Sequence, residues 1–109
     1  MISKSLIAAS SKPLILGILK GGKSYGYLII QKVKELSGGV LEWSDGMLYP
    51  VLHRLEKEGF ILSEWIISEE GRPRKYYSIT EKGKKELVKE KEQWMNVHMA
   101  LHKIWMSIN

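Results

Sequence analysis

The sequence predicts a mainly α-helical domain of the α+β class, in which one β-hairpin separates three helical segments from a long last helix. Apolar residues recur at three- and four-residue steps in three segments before Phe60, which is the spacing of one helix face. Strand-forming residues dominate from Phe60 to Ile79, and helical spacing returns after Thr80. A chain of 109 residues, 44% of them apolar, is enough for one domain with its own core.

The first helix is expected from Ser5 to Leu19, and Gly21-Gly22 ends it. Pro13 interrupts this helix. Because proline has no amide hydrogen for an interior helical bond, it either kinks the helix or divides it into two pieces. The second helix is expected to begin at Ser24, whose hydroxyl can cap it, and to end at Gly38-Gly39.

Ser44 can cap a third helix, and Gly59 ends it. Its buried side is a narrow apolar stripe made of Leu48, Leu52 and Leu55. Pro50 is awkward in a helix interior. Either the regular helix begins near Tyr49, which puts Pro50 at its start, or the first turn is irregular.

A β-hairpin follows, with strands expected at Ile61–Ile67 and Lys75–Ile79. Its charged tip contains Glu69-Glu70-Gly71, and Gly71 and Pro73 restrict the turn. Thr80 can then cap the last helix, which is expected to run towards Ile108.

The last helix carries a seam of apolar residues at alternating three- and four-residue steps, which is typical of coiled-coil packing. The seam consists of Trp94, Val97, Leu101, Ile104 and Ile108. Trp105 and three methionines widen this surface, so the helix is too apolar to stand alone in water. The order of helices and hairpin matches a winged helix-turn-helix with an appended helix, and the third helix of that fold enters the DNA major groove.

The chain has only three arginines, and their positions favour a nucleic-acid interface. Arg54 lies on the third helix, while Arg72 and Arg74 lie at the hairpin tip, or wing. A guanidinium group binds phosphate bidentately and recognises guanine edges. The alternatives also stay open: an ordinary solvated helix face, and a hairpin tip made soluble by its charge, which Glu69 and Glu70 favour.

The net charge of +5 favours anionic partners in general. Residues 44–80, which contain the suspected interface, carry a net charge of only −1, so their positive charges must be segregated on one face. The absence of cysteine excludes disulfides and thiolate chemistry, and no apolar stretch near the N-terminus is long enough to span a bilayer. No nucleophile motif, carboxylate pair or phosphate-binding loop indicates an enzyme or a cofactor. A cytoplasmic, non-enzymatic protein is expected.

Three ordered motifs resemble the PadR family of bacterial transcriptional regulators. These are Tyr25-Gly26-Tyr27, GMLYPVLHRLEKEG at Gly46–Gly59, and GRPRKYYSITEKG at Gly71–Gly83. The resemblance implies a winged helix-turn-helix homodimer that represses promoters and releases double-stranded operator DNA when it binds a small molecule. In this family the tyrosine-proline pair looks like the usual form.

The last helix resembles that of the multidrug-sensing LmrR type, through Glu92-Gln93-Trp94 followed by Val97. In that type the last helix packs with helix one of the other subunit, and a tryptophan from each subunit stacks on planar aromatic drugs. The resemblance implies an aromatic effector here as well. His98 replaces an acidic residue and Lys91 replaces an aromatic one, so neutral or anionic aromatics are expected, or no drug binding at all. Packing of Trp94 at the interface alone stays open.

The predicted organisation is a DNA-binding domain at 1–80 and a dimerisation helix at 81–109. The predicted DNA contacts are Ser44, Met47, Tyr49, Pro50, His53, Arg54, Lys57, Arg72, Arg74, Lys75 and Tyr77. The resemblance implies effector contacts at Leu6, Ala9, Pro13, Trp94, Val97 and His98. The predicted dimer interface contains Leu87, Trp94, Leu101, Ile104, Trp105 and Ile108. His98 and His102 have a spacing that can hold a metal, but an interfacial role is favoured and no metal site is predicted.

Two other functional classes were weighed. A protein-interaction or architectural module would use the seam for a different partner and would bind DNA without sequence preference. An enzyme is disfavoured by the missing catalytic motifs.

Overall fold

The computed structural model describes residues 2–108 and consists of five helices and three short strands within that range. The elements are α1 (Lys4–Ala9), α2 (Ser11–Lys20), β1 (Ser24–Tyr25), α3 (Gly26–Leu36), α4 (Asp45–Lys57), β2 (Ile61–Ile67), β3 (Pro73–Ile79) and α5 (Glu81–Ile108). The mainly α, α+β class is confirmed, as is the winged helix-turn-helix followed by a long helix.

The expected first helix is divided into α1 and α2 at Ser10, which confirms one of the two alternatives for Pro13. The hydroxyls of Ser10 and Ser11 donate to the carbonyl oxygens of Ile7 and Ala8, which helps to satisfy the end of α1. Because α2 begins at Ser11, Pro13 falls in its first turn, where an amide hydrogen has no helical acceptor.

Ser24 does not cap a helix, contrary to the sequence prediction. Ser24 and Tyr25 instead form β1, which pairs with Tyr77 and Tyr76 of β3. The sheet therefore has the order β1-β3-β2. The reason is tertiary: β3 is central and bonds β2 on one side, so its other edge is satisfied by whichever segment lies alongside it. Tyr25 becomes the N-cap of α3 and caps it without a side-chain hydrogen bond.

Helix α4 begins where Ser44 predicts, since the Ser44 hydroxyl accepts from the Met47 amide at 3.4 Å. Pro50 lies inside the helix, so a helix start near Tyr49 is wrong. The first turn contains a tight bond from the Met47 amide to the Ser44 carbonyl oxygen. Gly59 ends the helix with a φ of 83°, and the Phe60 amide returns to the Leu55 carbonyl oxygen, as in a Schellman cap.

The hairpin strands run in antiparallel register from the Ile61–Ile79 pair to the Ile67–Pro73 pair. The second strand is longer than predicted, since it begins at Pro73 and not at Lys75. The tip closes through the Ser68 amide, which donates to the Arg72 carbonyl oxygen at 2.8 Å. Gly71 has a φ of 79°, a conformation that glycine adopts without strain.

The core lies between the helices and one face of the sheet, and its fully buried members come from α2, α3, α4, β2 and α5. They are Ile15, Leu16, Leu19, Ile29, Val33, Leu48, Leu52, Leu55, Ile61 and Leu87. The predicted assignment of Leu87 to the dimer interface is wrong, because it is only 1% exposed within a single chain. The heptad spacing does not reveal this, since the first turns of α5 pack on the chain's own domain.

Gly83 fixes how closely α5 approaches the sheet. A Cβ at this position would overlap the Phe60 carbonyl oxygen and lie 2.8 Å from Cγ1 of Ile79. Thr80 caps the helix as predicted, with its hydroxyl accepting from the Gly83 amide at 3.0 Å. The core therefore extends past residue 80, so the predicted domain boundary is not a boundary in packing.

From Val88 onwards α5 leaves the core, and most of its residues are exposed. The molecule is elongated as a result, with principal dimensions of 59 × 29 × 21 Å. Within residues 2–108, no helix combines the length and the apolar character needed to cross a membrane. Asn109, the last residue of the predicted dimerisation segment, lies outside the described residues.

Candidate nucleic-acid interface

Helix α4 presents an exposed face opposite its buried leucine stripe. At 3.6 residues per turn, Pro50, His53 and Lys57 lie along one side of this helix, and all three are exposed. Proline removes the steric cost of a longer side chain near the helix start. The imidazole of His53 and the ammonium of Lys57 can both donate to phosphate or base edges. This face has the shape and polarity of a helix that enters a DNA groove.

Tyr49 lies at the flank of this face that is nearest the wing. It is half-exposed, and its hydroxyl lies against the α-carbon of Gly26 at the start of α3. A Cβ at Gly26 would overlap that hydroxyl. Gly26 therefore allows α4 and the start of α3 to approach closely, and this contact sets the position of the Tyr49 ring.

Arg54, Met47 and Ser44 lie at the other flank of α4. The Arg54 guanidinium donates to the Ser11 hydroxyl of α2 at 3.3 Å. Ser44 uses its side chain to cap the helix. The structure therefore does not group Arg54 with His53 and Lys57, although the sequence places them on one exposed face.

Arg72 lies at the wing tip and is exposed. Its amide donates to the Ser68 hydroxyl at 3.1 Å, so the backbone of the tip is fixed while the guanidinium stays available. Glu69 and Glu70 are exposed beside it and reduce the local positive potential. Arg72 is thus the arginine best placed to reach a phosphate.

Arg74 and Lys75 do not project from the turn, contrary to the sequence interpretation. Both lie within β3, where successive side chains point to opposite faces of the sheet. The Arg74 guanidinium stacks over the Tyr25 ring at 4.5 Å, and Lys75 lies 5.8 Å from the Tyr77 ring centre. Arg74 therefore joins β3 to β1 as well as adding positive charge.

Tyr77 is wrongly predicted as a DNA contact, since it is only 5% exposed. Burial raises the pKa of its hydroxyl, and the neighbouring Tyr49 and Glu56 raise it further. The alternation of β3 directs Tyr77 towards the core. Only the face that β3 presents to the helices reveals this, and that face is a tertiary property.

A groove between α4 and the wing brings together aromatic residues that the sequence prediction did not include. It has a volume of about 390 Å³ and is lined on one side by Tyr25, Tyr27 and Tyr49 and on the other by Trp65, Arg74 and Lys75. Tyr27 is 66% exposed and Trp65 is 68% exposed. Hydroxyl and basic groups around a groove suit a sugar-phosphate strand. The Tyr25-Gly26-Tyr27 motif was the sequence signal for part of this groove.

The predicted effector residues are not assembled into a closed site by one chain. Trp94 and Val97 share a shallow depression with Gln93 on α5, and no residue of α1 or α2 lines it. Leu6, Ala9 and His98 are exposed, whereas Pro13 is half-buried. The His98 ring stacks parallel to that of His102, with centroids 6.4 Å apart.

Comparison with known proteins agrees with this geometry. The profile of the PadR-like family of transcriptional regulators matches residues 15–89. The negative transcriptional regulator PadR of Bacillus subtilis is 33% identical over 90 residues, which are 83% of this chain and 47% of that protein. The chain therefore spans about half the length of that relative.

Two solved structures are similar over almost the whole chain. A transcriptional regulator from Clostridium thermocellum is 31% identical with a TM-score of 0.86, covering 94% of this chain and 97% of that one. A PadR-like regulator from Bacillus cereus is 30% identical with a TM-score of 0.80, covering 93% and 96%. The matched residues contain α4, the wing and the start of α5, so the chain belongs to the PadR-like family of transcriptional regulators.

Proposed function

We propose that this chain acts as a homodimeric repressor that binds a pseudo-palindromic operator through α4 and the wing. The observation that carries the proposal is the exposed side of α4, with Pro50, His53 and Lys57, next to a groove that ends at Arg72. One helix in the major groove and one wing on the backbone per subunit would read a half-site. Two-fold symmetry then sets the half-sites about 34 Å apart.

The second half of α5 supports a dimer. A compact monomer of 12.5 kDa exposes about 6,200 Å², whereas this chain exposes 7779 Å². A standard interface buries about 800 Å² on each partner, so the excess is enough for one. The exposed apolar residues concentrate on α5, where Leu101, Ile104 and Trp105 lie close together. A second copy of the chain is the partner that offers a matching seam.

A DNA-binding titration tests the operator proposal. We expect the protein to bind the upstream region of its own gene far more tightly than a scrambled duplex, with affinity that falls as salt rises. His53→Ala and Lys57→Ala should weaken binding, whereas Lys34→Ala, at the distant end of α3, is the control. Equal affinity for the specific and scrambled duplexes would favour an architectural module.

Sedimentation tests the dimer. Leu101→Asp together with Ile104→Asp should give a monomer, because each buried carboxylate would lose its hydration without a partner. Asn96→Asp adds a similar charge to the same helix at a polar position and should leave a dimer. A monomeric wild-type protein at micromolar concentration would contradict the proposal.

We also propose that an aromatic molecule binds near Trp94 at the dimer interface and releases the DNA. A second subunit would have to complete the shallow depression beside Trp94. His98 and the absence of a neighbouring acid favour neutral coumarin over cationic proflavine. Both should be titrated by fluorescence against the protein and its Trp94→Ala variant. Equal quenching in the variant would exclude this site.

A further inference from the structure

A second cleft lies on the flank of α4 that faces away from Tyr49. It occupies about 500 Å³ between α1, the segment before α4, and α4 itself. Its walls are mainly apolar and come from Ile7, Ala8, Trp43, Met47 and Val51. Small-molecule sites have this size and this kind of lining, with a few polar groups that orient the ligand.

The polar groups of the cleft are basic. Lys4 lies at one side and Arg54 at the other, and among the residues that line it none is acidic. Arg54 makes one hydrogen bond, to Ser11, among those recorded for residues 2–108. A guanidinium has five N–H donors, so most of them remain for a ligand. Lys4 also has no ion pair within the described residues.

Trp43 adds an unsatisfied donor to the same wall. The indole Nε1 is buried and has no acceptor within the described part of the chain. A buried N–H without a partner is costly, so an acceptor that enters this wall is favoured over an apolar group. The cleft thus combines an apolar body with two cations and one unpaired donor.

We propose that this cleft binds a small organic anion with an apolar body, whose anionic group pairs with Arg54 and Lys4. The site is separate from the Trp94 depression, since no residue lines both. It does not depend on the proposed repressor function, because binding is measured without DNA. Octanoate is a suitable probe, and octanol is its uncharged counterpart of similar length.

Calorimetry on the dimer tests the site. Octanoate should bind saturably and at least about tenfold more tightly than octanol, since a charge-assisted bond to Arg54 is available only to the anion. Arg54→Gln should remove this preference, whereas Lys57→Gln, on the same helix and outside the cleft, should keep it. Ala8→Phe should block both ligands, because Ala8 is an exposed wall residue on α1.

Nitrogen-correlated NMR identifies where the ligand binds. The chain has three arginines and four tryptophans, so the side-chain Nε signals are few. Octanoate should shift the Arg54 and Trp43 signals and leave those of Arg72 and Arg74 unchanged. Absent saturable binding, equal affinity for octanol, or shifts at the wing alone would overturn the proposal. Failure to bind would mean that another segment, such as the partner's α5, fills the cleft.

Discussion

The hydroxyl of Tyr49 lies against the α-carbon of Gly26, so α4 and the start of α3 meet where no side chain fits. Gly26→Ala should therefore lower the free energy of unfolding by about 1–3 kcal/mol, the usual cost of overpacking. Gly17→Ala is the control. Its Cβ meets nothing within 4 Å, so removing a helical glycine should stabilise by about 0.5–1 kcal/mol.

Denaturant unfolding at one protein concentration measures both effects. Combining Gly26→Ala with Tyr49→Ala tests the cause, because the two changes should not be additive. If Gly26→Ala costs as much without the Tyr49 ring, the contact is not the reason for the glycine.

Arg72 and Arg74 should have separable effects. Arg72→Ala should leave stability within about 0.5 kcal/mol, because the side chain is exposed at the tip. If each wing contacts one phosphate, it should also lower the salt slope of operator binding by about 0.9 for each wing lost. Arg74→Ala should lower stability by about 0.5–1 kcal/mol, because it removes the stacking on Tyr25.

Fluorescence anisotropy across a salt series, paired with thermal unfolding, distinguishes these two roles. An unchanged salt slope for Arg72→Ala would remove the wing tip from the DNA interface. Unchanged stability for Arg74→Ala would show that the stacking does not join β1 to β3 energetically.

The ion pair between Lys12 of α2 and Glu86 of α5 should make stability depend on pH in the acid range. Its atoms are 2.7 Å apart, and both side chains are partly buried. The hydrogen bond from Lys12 lowers the pKa of Glu86 below its ordinary value of 4.5. The same bond raises the pKa of Lys12 above 10.5. The pair should therefore contribute fully between these values.

Glu86→Gln should cost about 1 kcal/mol at neutral pH. Because the folded pKa of Glu86 is depressed, the difference from wild type should persist down to about pH 5 and shrink as the pH falls below 4.5. Glu92→Gln, on the exposed part of α5, is the control and should change little. A difference that grows at low pH would have the wrong sign for this explanation.

Leu87 and Leu101 lie on the same helix but should respond differently to truncation. Leu87→Ala creates a cavity in the core and should cost about 2–5 kcal/mol at any protein concentration. Leu101 is 41% exposed in the single chain, so Leu101→Ala should act mainly by weakening the dimer. Unfolding at two protein concentrations, with sedimentation, measures the difference. A concentration-independent loss for Leu101→Ala would place that residue in the core.

The sequence by itself determined the elements that depend on local chemistry. The Ser44 and Thr80 hydroxyls cap helices because such caps act within three residues, and the positive φ of Gly59 follows from its place after the last helical turn. The long ordered motifs also indicated the family, which the comparisons confirm.

Tertiary structure decided everything that depends on which surfaces meet. Ser24 joins a sheet and leaves its helix uncapped because the edge of β3 lies beside it. Leu87 and Tyr77 are buried, and Arg54 turns towards Ser11, because the neighbouring elements lie there. Periodicity gives the side of an element on which a residue lies, but not the element that covers that side. Contacts between residues distant in sequence are set only when the whole core packs.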